Sequence, residues 1–141
     1  MSLRIVGLAG MLALTACGGD GESSGQAQSL DGTHWMLVSI GERPVVQDSR
    51  ASLSFNEPGA VAGHGSCNRF AGPVSVTGDQ ISFGNLASTR MACQPEVDVQ
   101  EMDYLQALTG ANRYRINGSQ LEIETDDPSF RLRFEQAASL P

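Results

Sequence analysis

Apolar and polar side chains alternate from one residue to the next in several short segments of this chain. This alternation, with a period of two residues, limits the fold more than any other feature. It is strictest in Ala51–Phe55, where the odd positions are apolar and the even positions are serine. Successive side chains of a β-strand point to opposite faces, so the pattern predicts a strand with one buried face. Glycine, proline and asparagine turns separate the segments. We therefore predict a mainly β (α+β) domain, a compact antiparallel sheet or barrel-like structure with one α-helix.

The last part of the chain has the pattern of a three-stranded meander. Asn117-Gly118 is a hairpin signal, and Asp126–Ser129 forms the next turn. The apolar face of the meander comprises Tyr114, Ile116, Leu121, Ile123, Phe130, Leu132 and Phe134. On the other face each glutamate lies between two arginines in the predicted register: Glu122 between Arg115 and Arg133, and Glu124 between Arg113 and Arg131. The glutamates neutralise the arginines. This favours a ladder of cross-strand ion pairs that fixes the strand register over the alternative of an anion-binding stripe.

The alternation gives way to a helical period between Pro95 and Leu108. Four apolar residues fall on one helical face: Val97, Tyr104, Leu105 and Leu108. Proline suits the first helical position and Gly110 suits the position after the end, so we predict a helix over about 95–109. Glu101 falls on the apolar face, where we expect a partly buried carboxylate that accepts hydrogen bonds from a loop.

The N-terminus has the pattern of a bacterial lipoprotein signal. Arg4 precedes an uncharged apolar run that is too short to span a bilayer but has the length of a signal-peptide core. Leu14-Thr15-Ala16-Cys17 then resembles a lipobox, and a polar stretch follows. We predict a signal peptide over 1–16, a lipidated Cys17 with a flexible tether over 17–29, and a folded domain over 30–141. Lipoproteins retained in the inner membrane tend to carry aspartate after the cysteine; Gly18 stands there, so we expect the outer membrane, facing the periplasm.

The charge of the chain excludes one class of partner. With 16 acidic residues against nine cations, all of them arginine, the formal net charge is −7. Nucleic-acid binding needs clustered positive charge, so we expect no nucleic-acid partner. No glycine-rich phosphate loop, serine elbow or HExxH motif occurs in the sequence, and we predict a protein that is not an enzyme and has no cofactor. We expect a monomer that contacts the membrane through its lipid and has another envelope protein as its partner.

Cys67 and Cys93 remain as a pair once Cys17 is lipidated. Paired cysteines of exported proteins persist as disulfides, so we favour a disulfide between them. A nucleophilic Cys–His pair is an alternative, because His64 lies three residues before Cys67. A metal site from His64 and both cysteines would lack the usual fourth ligand, and we predict no metal.

Ordered motifs between Leu30 and Phe134 resemble a known family. They are Leu30-x-Gly32-Thr33-x-Trp35-x-Leu37, Leu53-x-Phe55, Val61-x-Gly63, Cys67-Asn68-x-Phe70-x-Gly72 and Ser88-Thr89-Arg90-Met91-Ala92-Cys93. Together they resemble the META domain of HslJ-like heat-shock lipoproteins. The resemblance implies a compact antiparallel β structure with one helix, in an envelope lipoprotein tied to stress, and it implies no catalytic residues. Val74 departs from the family, which often has tyrosine there; this would alter packing or a surface contact near the motif.

Two kinds of function fit these predictions. The first is a non-enzymatic envelope-stress or binding module, which should show a cleft with Arg69 and Arg90 converging in it. The alternative is a periplasmic inhibitor of a hydrolase, a protease or lysozyme, or else a small-ligand-binding lipoprotein. An inhibitor should present a rigid exposed loop, for which Cys67–Arg69 and Ser88–Met91 are the candidates. The candidate functional surface is therefore Asn68, Arg69, Thr89 and Arg90.

Overall fold

The computed structural model describes residues 28–138, in which the chain forms ten β-strands and one α-helix. The strands are β1 (His34–Ile40), β2 (Arg43–Pro44), β3 (Ser52–Glu57), β4 (Ala60–His64), β5 (Arg69–Thr77), β6 (Gln80–Phe83), β7 (Ala87–Ser88), β8 (Ala111–Asn117), β9 (Gln120–Thr125) and β10 (Leu132–Ala137). Helix α1 (Pro95–Thr109) lies between β7 and β8, and a 3₁₀ helix (Pro128–Phe130) precedes β10. The predicted signal peptide, Cys17 and the tether up to residue 27 lie outside the described residues.

Eight of the strands close into an antiparallel barrel. Their order around the barrel is β1, β3, β4, β5, β6, β8, β9 and β10, and β10 pairs with β1 to complete the circle. The two short strands lie outside this circle, β2 on β1 and β7 on β5. Within residues 28–138, no helix has the length and apolar character that a bilayer crossing needs. The predicted mainly β fold with one helix is confirmed.

Side chains from all eight barrel strands fill the interior. The core includes Trp35 and Leu37 from β1, Leu53 and Phe55 from β3, and Phe134 from β10, each at most 4% exposed. Four more residues of the predicted apolar face of the meander, Tyr114, Leu121, Ile123 and Leu132, are also buried, whereas Ile116 and Phe130 are only partly buried. An eight-stranded barrel has an interior just wide enough for side chains to fill, and here they do so.

The expectation that β3 has one exposed face is wrong. Ser52 and Ser54, which alternate with the apolar residues, are 2% and 1% exposed. In the strand register Ser52 lies between Met36 and His64, and Ser54 lies beside His34. The His34 Nδ1 and Ser54 Oγ atoms are 3.0 Å apart and form a hydrogen bond. Both serines therefore lie between residues of the two neighbouring strands, Ser54 between His34 and Ala62, and are buried there.

The second turn of the meander differs from the prediction. The last strand was expected to begin at Phe130, but the 3₁₀ helix occupies that position and β10 begins at Leu132. Asp127 stabilises the turn, because its Oδ1 accepts hydrogen bonds from the Ser129 N–H (2.9 Å) and hydroxyl (2.7 Å). The predicted pairs of Glu122 with two arginines, and of Glu124 with one, are confirmed. Arg131 precedes β10, and its Nε lies 3.5 Å from a Glu122 oxygen instead of pairing with Glu124.

Helix α1 packs against the barrel and buries Tyr104 in the core. The Tyr104 hydroxyl donates to the Ser52 carbonyl at 2.9 Å, and its ring meets Phe70 edge-on at 5.7 Å between centroids. The helix bounds agree with the prediction, but its buried face differs: it consists of Gln100, Glu101, Tyr104, Ala107 and Leu108. Val97 and Leu105 are only partly buried. Gln100 and Glu101 lie on this face because their side chains accept hydrogen bonds from backbone N–H groups of connecting segments. Gln100 accepts the N–H of Val46, and Glu101 accepts those of Cys67 and Asn68.

Candidate functional site

Two connecting segments meet under the N-terminal half of α1. We call them the Cys67 loop (Gly65–Asn68), between β4 and β5, and the Arg90 loop (Ser88–Cys93), which runs from β7 toward α1. The structure joins them through a disulfide between Cys67 and Cys93, whose Cα atoms are 6.0 Å apart and which are separated by 26 positions. Cys67 is buried whereas Cys93 is exposed. The favoured pairing is therefore the one that the structure contains.

Glu101 of helix α1 holds the Cys67 loop in place through three hydrogen bonds. Its Oε2 accepts hydrogen bonds from the backbone N–H groups of Cys67 (3.0 Å) and Asn68 (2.6 Å), and its Oε1 accepts one from the Asn68 Nδ2 (2.6 Å). Glu101 is 7% exposed. A Cβ atom at Gly65 would lie 2.4 Å from the Glu101 Oε2, so only glycine leaves room for the carboxylate. The prediction of a buried carboxylate that satisfies a loop is confirmed.

The Asn68 side chain links the Cys67 loop to the Arg90 loop by hydrogen bonds. Its Oδ1 accepts hydrogen bonds from the Met91 N–H (2.6 Å) and the Thr89 hydroxyl (3.0 Å), while its Nδ2 also donates to the Met91 carbonyl (3.3 Å). The backbones of Arg69 and Thr89 are linked as well, through the Thr89 N–H and the Arg69 carbonyl at 3.0 Å. The two loops are thus cross-linked by a covalent bond and by one fully engaged amide side chain.

His64 borders the Cys67 loop from the end of β4. Its Nδ1 accepts the Ser66 N–H at 3.1 Å, and Ser66 itself adopts a φ of 91°. Partial burial lowers the pKa of His64, the positive charges of Arg69 and Arg50 lower it further, and the Glu101 carboxylate acts in the opposite direction. His64 is therefore a hydrogen-bond acceptor for its own loop in the neutral state.

A family model describes this arrangement of strands and loops. The META domain model matches residues 28–138, which is the whole described part of the chain. The chain belongs to the META domain family. The two cysteine motifs from which the resemblance was drawn are the two loops that the structure brings together.

One curated relative and two solved structures are similar to this chain. Heat shock protein HslJ of Escherichia coli (strain K12) is 24% identical over 116 residues, which cover 81% of this chain and 82% of HslJ. The NMR structure of a protein from Burkholderia xenovorans superposes with a TM-score of 0.68 at 28% identity, covering 82% of this chain and 88% of the other. A DUF4847 family protein from Bacteroides vulgatus ATCC 8482 has the same fold, with a TM-score of 0.61 at 13% identity over 78% of this chain and 96% of the other.

The four candidate surface residues of this META domain fall into two groups. Asn68 is 7% exposed and uses its side chain inside the protein, and the Thr89 hydroxyl is bound to it. Arg69 and Arg90 are exposed. Neither arginine lines any of four clefts described on the surface of residues 28–138, so the expected cleft with both arginines converging stays a prediction.

The chemistry open to the two cysteines is limited by their bond. As a disulfide they offer neither a nucleophilic thiolate nor a thiolate ligand. Cys67, Cys93 and Asp98 each bring one potential ligand atom within 4.8 Å of the others. The Asp98 Oδ1, however, already accepts the Cys93 N–H at 3.2 Å. In the oxidised form this corner of the META domain is a structural cross-link.

Two neighbouring clefts on the outside of the barrel were not predicted. One, of about 380 Å³, has Val38, Arg115 and Glu122 among its walls. The other, of about 450 Å³, lies over Gly41 and Arg131, and the two clefts share Arg133. The sequence could not reveal them, because each brings together segments that are far apart in the chain: Val38 of β1 with the meander in the first cleft, and Gly41 with the 3₁₀ helix in the second. Gln100 was missed for a similar reason: its side chain accepts the Val46 N–H at 2.6 Å across a long sequence separation.

Proposed function

We propose that this chain is an outer-membrane lipoprotein facing the periplasm, and that it acts there as a stress-related module that binds another envelope protein without catalysing a reaction. Its similarity to HslJ, a heat shock protein, supports the link to stress. The lipobox ending at Cys17 supports the lipid anchor, and Gly18 after it supports sorting to the outer membrane.

One observation carries the proposal: the polar groups around the cysteines are occupied within the protein itself. All three hydrogen bonds to the Glu101 carboxylate come from the Cys67 loop, and the Asn68 side-chain amide is hydrogen-bonded to the Arg90 loop. Catalysis needs a nucleophile or an acid or base that can reach a substrate. The exposed Arg69 and Arg90 are instead suited to contact with a partner surface, where arginine is enriched.

The alternative of a small-ligand-binding lipoprotein has less support. Small barrels hold a ligand inside when their interior is left open. Within residues 28–138, Trp35, Phe55, Tyr104 and Phe134 are packed together in the core, and the two clefts lie open on the outside of the barrel. A partner that covers an exposed surface therefore agrees better with the geometry.

Membrane fractionation tests the location. The wild-type chain should sediment with outer membranes and resist washing with high salt, because its acyl chains are buried in lipid. Cys17→Ser should move it to the soluble fraction or leave it as an unprocessed precursor, whereas the nearby Ser23→Ala should change nothing. A soluble wild-type chain, or a mature Cys17→Ser chain in the outer membrane, would refute the anchor.

Affinity capture tests the binding function. The full chain, tagged and solubilised in mild detergent, should recover a specific protein from envelope extracts. The double variant Arg69→Ala/Arg90→Ala should lose that protein, whereas Arg113→Ala/Arg133→Ala, which removes two exposed arginines elsewhere, should keep it. Failure of the wild-type chain to enrich any protein over the Arg69→Ala/Arg90→Ala chain would contradict the proposal.

A further inference from the structure

The Arg90 loop (Ser88–Cys93) is exposed and is held at both of its ends. Ser88 pairs with Phe70 in the sheet, and the Thr89 N–H donates to the Arg69 carbonyl at 3.0 Å. Cys93 is fixed by its disulfide to Cys67. Between these points the Arg90 side chain is exposed, and Met91 is 59% exposed.

Asn68 supports one peptide bond of this loop, Arg90–Met91, from both sides. On the N-terminal side it accepts the Thr89 hydroxyl at 3.0 Å. On the C-terminal side it binds both the N–H (2.6 Å) and the carbonyl (3.3 Å) of Met91. Within residues 28–138, no hydrogen bond engages the backbone N–H or carbonyl of Arg90 itself. Asn68 therefore holds the Arg90–Met91 peptide bond from the protein side, while the backbone N–H and carbonyl of Arg90 are open to a partner.

Glu101 in turn fixes the orientation of Asn68. It accepts hydrogen bonds from the backbone N–H and from the Nδ2 of Asn68, each at 2.6 Å. With Nδ2 turned toward the carboxylate, Oδ1 must face the Arg90 loop. The loop is thus held in one shape before any partner arrives, which reduces the entropy that it would lose on binding.

We propose that the Arg90 loop inserts into the active-site cleft of a serine protease that prefers arginine, and inhibits it. The Arg90 guanidinium enters the acidic specificity pocket, where its fork of donors matches a carboxylate. The free N–H and carbonyl of Arg90 pair with the protease main chain and its oxyanion hole. This inference rests on the proposed binding function and names the class of protein bound.

The support from Asn68 explains why such a loop inhibits instead of being consumed. Attack by the protease serine oxygen on the Arg90 carbonyl breaks the bond to the Met91 nitrogen and forms an ester. The serine proton passes through the protease histidine to that nitrogen. Asn68 and the disulfide keep the new Met91 amine beside the ester. Its return attack re-forms the peptide bond, frees the serine and returns the proton, at the high effective concentration of a held group.

Trypsin is the probe for this proposal, because its pocket selects arginine through an aspartate. The full chain in mild detergent is titrated against trypsin with a small chromogenic arginine substrate. We expect inhibition that saturates at one chain per protease. Arg90→Ala should weaken it about 100-fold, as expected for loss of a buried charged pair, and Arg90→Lys should largely preserve it. Arg113→Ala, an exposed arginine on β8, is the matched control and should leave inhibition unchanged.

Mass spectrometry of the complex supplies the second readout. We expect slow cleavage at Arg90–Met91 alone, with a gain of one water and the two fragments still joined through Cys67–Cys93. Asn68→Ala, or Thr89→Val if the first variant does not fold, should turn the inhibitor into a substrate that is cleaved faster.

Three results would overturn the proposal: no inhibition by the folded chain, inhibition that survives Arg90→Ala, or rapid complete cleavage without inhibition. If affinity capture still recovers an envelope protein in any of these cases, the binding function stands and only the assignment of a protease partner fails.

Discussion

The Glu101 side chain lies where three N–H groups converge on its two oxygens. Each of those groups belongs to the Cys67 loop, and within the described residues the two backbone N–H groups, of Cys67 and Asn68, have no other acceptor, while the Asn68 Nδ2 also donates to the Met91 carbonyl. An unsatisfied buried donor costs about 1–3 kcal/mol, and more when its lost partner is charged. The position of this single side chain therefore decides whether the loop keeps its shape.

Glu101→Ala should lower the free energy of unfolding by about 3 kcal/mol, because it leaves the backbone N–H groups of Cys67 and Asn68 without an acceptor. Glu101→Gln should lose less, since one oxygen can still accept. The control is Glu96→Ala on the exposed side of the same helix, where only interaction with the helix dipole is lost, about 1 kcal/mol or less. Urea denaturation measures all three; equal losses for Glu101→Ala and Glu96→Ala would contradict the role assigned to Glu101.

His64 makes part of the stability depend on pH. Partial burial and the charges of Arg69 and Arg50 lower its pKa in the folded chain, against the opposing effect of Glu101, so the unfolded chain binds the proton more readily. Its contribution is complete above the ordinary histidine pKa of 6.5 and is lost as the pH falls through the folded value.

The free energy of unfolding should therefore decrease from pH 7.5 to pH 5, and His64→Gln should flatten this decrease. Glutamine can still accept the Ser66 N–H, so the loop is expected to persist. Chemical denaturation across this pH range measures the slope, and an unchanged slope in the variant would show that other groups cause it.

At the scale of elements, the disulfide and the Asn68 side chain hold the same two loops by different means. The disulfide acts mainly on the unfolded chain, whose freedom it reduces, while the hydrogen bonds act in the folded state. Removing the covalent bond should therefore cost stability without displacing the Arg90 loop.

Cys67→Ala/Cys93→Ala should lower the free energy of unfolding by about 3.5 kcal/mol, the chain-entropy value for a loop of this length. Its far-ultraviolet circular dichroism should match the wild type. Reduction of the wild type should reproduce the loss. Peptide mapping after alkylation of the native, unreduced chain checks that the bond forms: if Cys67 and Cys93 were both alkylated, the disulfide would be refuted.

At the scale of the whole molecule, closure of the barrel depends on β10. Phe134 lies opposite Leu37 of β1 on one side and Leu121 of β9 on the other, and its ring is 6.1 Å from that of Tyr104. One side chain thus lies next to the closing seam, the meander and helix α1.

Phe134→Ala should cost about 4 kcal/mol, the usual range for a buried phenylalanine, against a total that is typically about 5–15 kcal/mol. Val76→Ala, at an exposed position of β5, should stay within about 0.5 kcal/mol. Thermal and urea denaturation provide the comparison. A loss at Phe134 no larger than that at Val76 would mean that the seam is not closed as described.

Local patterns in the sequence determined most of the elements. The alternation in β8 and β9, the Asn117-Gly118 turn and the helical period from Pro95 each depend on neighbours within a few residues, so they can be read without the fold. The acceptor role of Glu101 was also predictable, because a carboxylate on an apolar helix face must find donors.

Tertiary structure alone decided the rest. The closure of β1 on β10 joins segments about 100 residues apart, and it depends on strand tilt and stagger that no local pattern encodes. For the same reason the sequence placed Ser52 and Ser54 on an exposed face: what covers them comes from other strands. The alignment of Asn68 with the Arg90–Met91 bond is likewise a product of the packing of α1 on both loops, and it exists only in the folded chain.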